Sequence, residues 1–335
     1  MYKSLTFLNL FFILLFLSCE NNTKTTEKIS EPIGELEHIN KRIKADSTNT
    51  LLYNERASFF LESNQIDKAL MDINKALQYD SKNASVFLNL AEVYFAMGRP
   101  ENCSSALLKA ADLDSENPKP FLKLAELNLV LEKFDMALAY TDKSLDRSSF
   151  NPEAFYVRGA VFIAKQDTVS ALKNFKLALD QKEDFFEPMM QLGVIYSQQR
   201  NHIAEQYLKK AIFTYPEAIQ ARYQLAMYLQ DNENVAEAIL HYDTILMTSP
   251  QNKFALYNLG YVHLVYLEDF TTAVQYFDDA LVSDPNYLDA LYNKGRALEE
   301  LGKFVVAKEV YNDVLRRSPS HDLAIQALNR IDMRK

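Results

Sequence analysis

Residue types that reactive sites often require are scarce in this 335-residue chain, which has two cysteines, five histidines and seven glycines. Two cysteines, Cys19 and Cys103, do not make a disulfide framework. No two histidines have the spacing of metal ligands. The chain also lacks a glycine-rich phosphate loop and a Gly-x-Ser-x-Gly motif. We therefore expect no catalytic residues, no metal, no cofactor and no small-molecule substrate.

Basic residues are also in the minority, with 36 lysines and arginines against 45 aspartates and glutamates and a net charge of −9. Nucleic acids and anionic lipid surfaces are bound through a basic face. The charge balance therefore disfavours both as partners. Ten prolines and seven glycines are too few for a loop-rich or disordered chain, and an apolar content of 48% is typical of a folded one.

The first residues have the pattern of an export signal. Lys3 precedes a mostly apolar run of about 13 residues, Leu5 to Leu17, which is shorter than the roughly 20 residues that span a bilayer. Its end, Phe16-Leu17-Ser18-Cys19, resembles the lipobox of bacterial lipoproteins, with Phe16 in place of the usual leucine. The resemblance implies a signal peptide at residues 1–18 and lipid attachment at Cys19. A plain signal peptide with a chance cysteine and an uncleaved anchor are the alternatives.

Residues 19–32 are polar and are predicted to form a tether. In lipoproteins of enteric type, an aspartate after the acylated cysteine favours the inner membrane, and here Glu20 stands at that position. The resemblance therefore implies a lipid-anchored protein of the bacterial cell envelope. It favours the outer membrane, with the folded part facing the periplasm or exposed on the surface, and implies membrane contact through the lipid only.

The rest of the chain contains small residues that recur at intervals of 33 to 35 residues. This period predicts a repeated two-helix unit, in which small side chains let the two helices approach closely. Because Cys103 takes one of these places, we expect it to be a core residue and not a nucleophile. The first series is Ala57, Ala91, Ala125, Gly159, Gly193, Ala226, Gly260 and Gly295, and the second, about twelve residues further on, is Ala69, Cys103, Ala137, Ala171, Ala204, Ala238, Ala273 and Ala307.

These units resemble the tetratricopeptide repeat, most closely at Tyr257-Asn258-Leu259-Gly260 and Gln191-Leu192-Gly193. A proline occurs at the same place near the end of each of the last four units, as Pro216, Pro250, Pro285 and Pro319. The resemblance implies an all-α fold, a right-handed superhelix (an α-solenoid) of about eight helix-turn-helix repeats.

We expect these repeats within residues 48–319, flanked by an N-terminal capping helix at 33–46 and a C-terminal one at 321–335, because a repeat array needs polar outer faces at its ends. The fifth unit is one residue short and the seventh one residue long, near the turn between their helices. The approximate units are 50–83, 84–117, 118–151, 152–185, 186–218, 219–252, 253–287 and 288–320.

In tetratricopeptide proteins the first helices of successive units line a concave face. The resemblance therefore implies a groove whose wall becomes aromatic towards the C-terminus, and tyrosine is enriched in recognition surfaces. Ordinary repeat surface, or a site elsewhere, is the alternative. The residues expected in this peptide- or protein-binding wall are Tyr156, Met190, Tyr223, Met227, Phe254, Tyr257, Tyr261, Tyr292 and Arg296.

The expected function is that of a non-catalytic scaffold or adaptor, anchored to the envelope by its N-terminal lipid. It would bind partner proteins or extended peptide segments on the concave face. The alternative is a structural envelope component that associates with itself. The least favoured reading is a cryptic enzyme or an enzyme's accessory.

Overall fold

The structure, a computed structural model, describes residues 32–333, and this part of the chain contains eighteen α-helices and no strand. The predicted signal peptide and the predicted lipid-carrying Cys19 lie outside the described residues, as does the predicted tether up to residue 31. No helix within 32–333 has both the length and the apolar composition to cross a membrane. The helices are α1 Pro32–Ala45, α2 Thr50–Glu62, α3 Ile66–Tyr79, α4 Ala84–Ala96, α5 Pro100–Leu113, α6 Lys119–Val130, α7 Phe134–Arg147, α8 Pro152–Ala164, α9 Thr168–Gln181, α10 Phe186–Gln198, α11 Ile203–Thr214, α12 Ile219–Asp231, α13 Val235–Thr248, α14 Lys253–Val265, α15 Phe270–Ser283, α16 Leu288–Glu300, α17 Phe304–Arg317 and α18 Asp322–Asp332.

Helices α2 to α17 form eight consecutive hairpins. The two helices of a hairpin pack against each other, as α2 does against α3. Within each of the two compact units of the chain, the second helix also packs against the first helix of the next hairpin, as α3 does against α4. The second helices therefore have first helices on two sides and keep one outward side. The chain divides into two compact units, of which unit 1 ends at Pro188 and unit 2 begins at Met189, inside α10.

The small residues of the first series leave room for a large side chain from the second helix. A Cβ atom added to Gly159 would lie 2.5 Å from Cε1 of Phe175, and one added to Gly260 would lie 2.7 Å from Cε1 of Phe277. Leu208 covers Gly193 in the same way at 2.6 Å. In each case the covering side chain comes four residues after the small residue of the second series. Each of these glycines thus faces a large core side chain of the second helix, and not the small residue of the second series.

Every hairpin turn contains one residue in the left-handed backbone region. This residue precedes the start of the second helix by two positions in seven hairpins and by three positions in the fifth. Glycine supplies this residue only in the second and eighth hairpins, as Gly98 (φ 66°) and Gly302 (φ 71°). Elsewhere a side chain tolerates the conformation at φ between 51° and 62°, at Asn64, Glu132, Gln166, Arg200, Glu233 and Glu268.

The two irregular hairpins differ at their turns. In the seventh, both Tyr266 and Leu267 separate the end of α14 from the left-handed Glu268, where every other hairpin has one residue. In the fifth, α11 has 12 residues, against 14 in a regular second helix such as α13. The missing residue of the fifth hairpin therefore shortens the start of its second helix, and the additional residue of the seventh hairpin lengthens its turn.

Buried charges attach the flanking helices to the hairpins beside them. In unit 1, Arg56 forms two hydrogen bonds with Asp72, at 2.6 and 2.7 Å, and a third with Asn40 of α1 at 2.6 Å. In unit 2, Arg330 of α18 donates two hydrogen bonds to the buried Glu299, at 2.8 and 2.7 Å. Because a buried carboxylate is stable only when paired, these contacts fix helices α1 and α18 against the neighbouring hairpins.

Candidate protein-binding site

Two of the residues expected in the groove are buried. Tyr156 is 5% exposed and Met190 is 3% exposed, so the prediction that they face an open groove is wrong for both. The Tyr156 ring lies 5.9 Å from that of Phe175 and 5.6 Å from that of Phe185, centroid to centroid. Its hydroxyl has no hydrogen-bond partner within residues 32–333, and burial raises its pKa. These two side chains contribute to packing and cannot contact a partner.

The other seven candidates lie together in unit 2, on the first helices of three consecutive hairpins. They are partly exposed, and Phe254 is the most open at 48%. We call this set the tyrosine wall: Tyr223 and Met227 on α12, Phe254, Tyr257 and Tyr261 on α14, and Tyr292 and Arg296 on α16.

Asparagines from the next hairpin hold two tyrosines of the wall. Asn258 donates from Nδ2 to Oη of Tyr223 at 2.8 Å, and Asn293 donates in the same way to Tyr257 at 3.1 Å. Both asparagines are buried. Each phenol oxygen accepts this bond and keeps its own proton for donation. The signal for this arrangement is a Tyr-Asn pair at the same place of two consecutive repeats, at 257–258 and at 292–293.

Arg296 brings the positive charge of the wall. Its guanidinium donates to Oδ1 of Asn293 at 2.9 Å, and within residues 32–333 it forms no ion pair. Burial is the main cause that raises the pKa of Tyr257 to about 12, with Asp289 adding to the shift and Arg296 opposing it. The Tyr257 hydroxyl is therefore protonated at neutral pH and can donate a hydrogen bond.

Tyr287, in the loop before α16, packs against the tyrosine wall, and the sequence analysis did not predict it. Its ring lies 5.0 Å from that of Tyr257 and 6.2 Å from that of Phe254, centroid to centroid. Lys253 Nζ stands 5.1 Å from the centre of the Phe254 ring and 2.6 Å from Oδ2 of Asp284. The sequence offered no reason to expect an aromatic residue at this loop position, because asparagine commonly occupies it in this chain, as in Asn83 and Asn252.

The arrangement offers ring faces, hydroxyl donors and the guanidinium of Arg296, groups that can bind a protein segment. Within residues 32–333, no group of three or more His, Cys, Asp or Glu side chains is placed to hold a metal ion. Cys103 is 3% exposed, and burial raises the pKa of its thiol to about 11, so the thiolate form that acts as a nucleophile is disfavoured.

Comparisons with known proteins identify the repeats. Family models described as tetratricopeptide repeat match residues 84–117, 196–253 and 262–322, and one described as TPR repeat matches 59–98. Among solved structures, pilF of Pseudomonas aeruginosa is 15% identical with a TM-score of 0.54, over 63% of this chain and 96% of that one. PilW, described as a widely conserved type IV pilus biogenesis factor, is 19% identical with a TM-score of 0.55, over 63% and 98%.

A tetratricopeptide repeat protein from Parabacteroides merdae is 14% identical with a TM-score of 0.52, over 75% of this chain and 98% of that one. No curated protein matches the sequence. The chain therefore contains tetratricopeptide repeats, and the expected all-α solenoid is confirmed. At these identities the structural likeness concerns the fold alone.

Proposed function

We propose that this chain of tetratricopeptide repeats is a non-catalytic scaffold that holds another protein, or an extended segment of one, on the tyrosine wall of unit 2. The supporting observation is that three consecutive first helices present partly exposed aromatic rings, two of which, Tyr223 and Tyr257, are held by buried asparagines. Rigid rings lose little entropy on binding, and they present a large apolar area with a polar tip.

The chemistry of the wall favours a ligand that has an apolar side chain next to an acidic group. Phe254 and Tyr257 offer ring faces for the apolar side chain, and the Tyr257 hydroxyl can donate to a backbone carbonyl. Arg296 bonds only a neutral amide among the contacts of the described residues, so a carboxylate can approach it without displacing an ion pair. An Arg–carboxylate hydrogen bond is among the stronger polar contacts in proteins.

The first experiment identifies what contacts the wall in intact cells. A photoreactive amino acid replaces Phe254 in one variant of the full chain and Val169 in a control variant. Val169 is 80% exposed and lies on a second helix of unit 1. A partner of the wall is crosslinked from position 254 and not from position 169. Equal capture at both positions would indicate random collision and would contradict the proposal.

The captured protein is then purified and titrated against variants of the full chain. Arg296→Ser and Phe254→Ala should each weaken binding by roughly tenfold, which is the loss expected from one good contact of about 1.4 kcal/mol. Tyr257→Phe keeps the ring and removes only the hydroxyl, so it should have the smaller effect. If Arg296→Ser and Phe254→Ala bind as the unaltered chain does, the partner uses another surface.

The proposal extends to the bacterial cell envelope, with Cys19 carrying the lipid. Its support is the lipobox-like Phe16-Leu17-Ser18-Cys19 and the preceding apolar run. A single acyl chain holds a protein only marginally, whereas two or more hold it stably. Cys19→Ala should therefore release the chain from membranes and abolish labelling by a fatty acid. A chain that stays in the membrane fraction after this change would overturn the anchor without affecting the wall.

A further inference from the structure

The outward sides of the second helices in unit 2 carry a row of exposed apolar side chains. Nine residues after the small residues Ala204, Ala238 and Ala273 come, in the same register, Phe213 on α11, Met247 on α13 and Val282 on α15. These side chains are 86%, 81% and 76% exposed. Single exposed apolar residues are ordinary, but three at the same register of consecutive repeats form a row that calls for a partner.

The row is confined to three of the four second helices of unit 2, since α17 has Arg316 at the same register. At the same register on the second helices of unit 1, every residue is polar, and three of the four are aspartates: Gln78, Asp112, Asp146 and Asp180. The repeat fold itself therefore does not require apolar residues at this place.

The residues beside the row are related by symmetry about α13. The register two residues after the small residue holds Gln206 on α11, Leu240 on α13 and Gln275 on α15. The register six residues after it holds Lys210, Thr244 and Asp279. Positions two, six and nine lie on one face of a helix because they differ by four and three residues. The glutamine of α11 thus corresponds to the glutamine of α15, and Lys210 of α11 corresponds to Asp279 of α15.

We propose that this face binds a second copy of the chain about a two-fold axis that runs parallel to α13. Such an axis places α11 of one copy against α15 of the other, at the same height along the helices. Phe213 then meets Val282 of the second copy, and Lys210 meets Asp279. Leu240 and Met247 each meet their own counterparts on the axis. A two-fold interface requires a self-complementary surface, and this face satisfies that requirement in charge and in apolar character.

The pattern favours a second copy over other occupants. A membrane surface would bring the exposed Asp279 against lipid, which the cost of desolvating a carboxylate opposes. Binding of an unrelated protein would not explain why the residues on α11 correspond to those on α15. The exposed Leu240, at 65%, lies two helical turns from Met247 on the central helix. The axis therefore passes through the most apolar part of the face.

The test uses crosslinking at the axis in the full-length chain. A cysteine at position 247 faces itself in the proposed dimer, so Met247→Cys should give a covalent dimer with a short bismaleimide. Met71→Cys is the matched control, because Met71 is 71% exposed on a second helix of unit 1. The unaltered chain shows the background from Cys19 and the buried Cys103. We expect roughly tenfold more dimer from position 247 than from position 71.

Two off-axis positions test the geometry. Phe213→Cys alone should give little dimer, whereas a mixture of Phe213→Cys chains and Val282→Cys chains should crosslink efficiently. Equal crosslinking from positions 71, 213 and 247 would show unspecific association and would overturn the proposal. Crosslinking of position 247 to a protein of another mass would do the same, by assigning the face to a different partner.

A charge exchange separates this interface from a general loss of folding. Lys210→Asp and Asp279→Lys should each reduce dimer formation, and the chain that carries both changes should recover it, because the two charges face each other between copies. The outcome is independent of the tyrosine wall, since Arg296→Ser should leave the crosslink at position 247 unchanged. Failure of the double change to recover the dimer would refute the proposed pairing of α11 with α15.

Discussion

Replacement of Gly159 by alanine tests the packing that defines the repeats. The added Cβ atom would lie 2.5 Å from Cε1 and 2.7 Å from Cδ1 of Phe175, closer than the contacts that carbon atoms accept. The ring cannot simply swing away, because Phe175 is 0% exposed and packs beside the buried Tyr156. The substitution must therefore displace a ring in a filled core.

The expected magnitude follows from two opposing effects. Overpacking of a core by one methyl group costs about 1–3 kcal/mol. Alanine in place of glycine inside a helix contributes about 0.8–1 kcal/mol in the other direction. The net result should be a destabilisation of about 1 kcal/mol, even though the substitution improves the helix propensity of α8.

A second substitution makes the prediction specific. Phe175→Leu alone creates a cavity and is destabilising. The double variant Gly159→Ala/Phe175→Leu copies the pair Ala91 and Leu107, which occupies the same two positions of the second hairpin. The double variant should therefore be more stable than the sum of the two single changes predicts, by about 1 kcal/mol or more.

The measurement is a urea titration followed by circular dichroism, with the midpoints and slopes of all four chains compared. Gly34→Ala is the control, because a Cβ atom at Gly34 meets nothing within 4 Å, and this change should not destabilise the chain. The reasoning is refuted if Gly159→Ala is as stable as the unaltered chain, or if the two changes at positions 159 and 175 are simply additive.

Three further predictions concern other parts of the molecule. Glu299→Ala removes the acceptor of Arg330 and should accelerate hydrogen exchange in α18 while exchange in α1 stays unchanged. Gly98→Ala should lower stability by about 1 kcal/mol or more, because its φ is 66°, and Glu132→Gly, at φ 56°, should relieve part of such a strain in thermal melts. Cys103, with its thiol pKa raised to about 11, should resist iodoacetamide in the folded chain at pH 8 and react in urea, as read by peptide mapping.

The helical hairpins were accessible from the sequence because their packing requires small residues at fixed intervals. Only glycine and alanine, with Cys103, fit where the two helices approach, so the period is visible without any structure. The turns were less accessible. Gly98 and Gly302 indicate two of them, whereas a residue such as Glu132 or Gln166 adopts the same left-handed conformation with a side chain that also suits a helix.

The site was predicted in part, because burial of a first-helix tyrosine depends on a residue outside its own helix. Tyr156 and Tyr257 occupy equivalent positions, yet Tyr156 is 5% exposed and Tyr257 is only half-buried. An aromatic loop residue lies over each of them, Phe185 over the first at 5.6 Å and Tyr287 over the second at 5.0 Å. Both loop residues replace the asparagine common at that place, so the loop residue alone does not account for the different exposure of the two rings. The sequence of one repeat therefore does not predict which ring a partner can reach.

The repeat architecture allows unit 2 to carry both proposed surfaces, the tyrosine wall and the outward face, without loss of stability. Each hairpin is stabilised by its own core and by its immediate neighbours. Side chains such as Phe277 are fully buried against the first helix of their own hairpin. Positions on the outward side, such as Met247 and Val282, contribute little to this packing because they are 81% and 76% exposed. Substitutions there should change association and leave the free energy of unfolding, measured by urea titration, within about 0.5 kcal/mol of that of the unaltered chain. Binding and folding can therefore be measured separately in this chain, and a variant such as Met247→Asp that lost both at once would show that the outward face stabilises the solenoid itself.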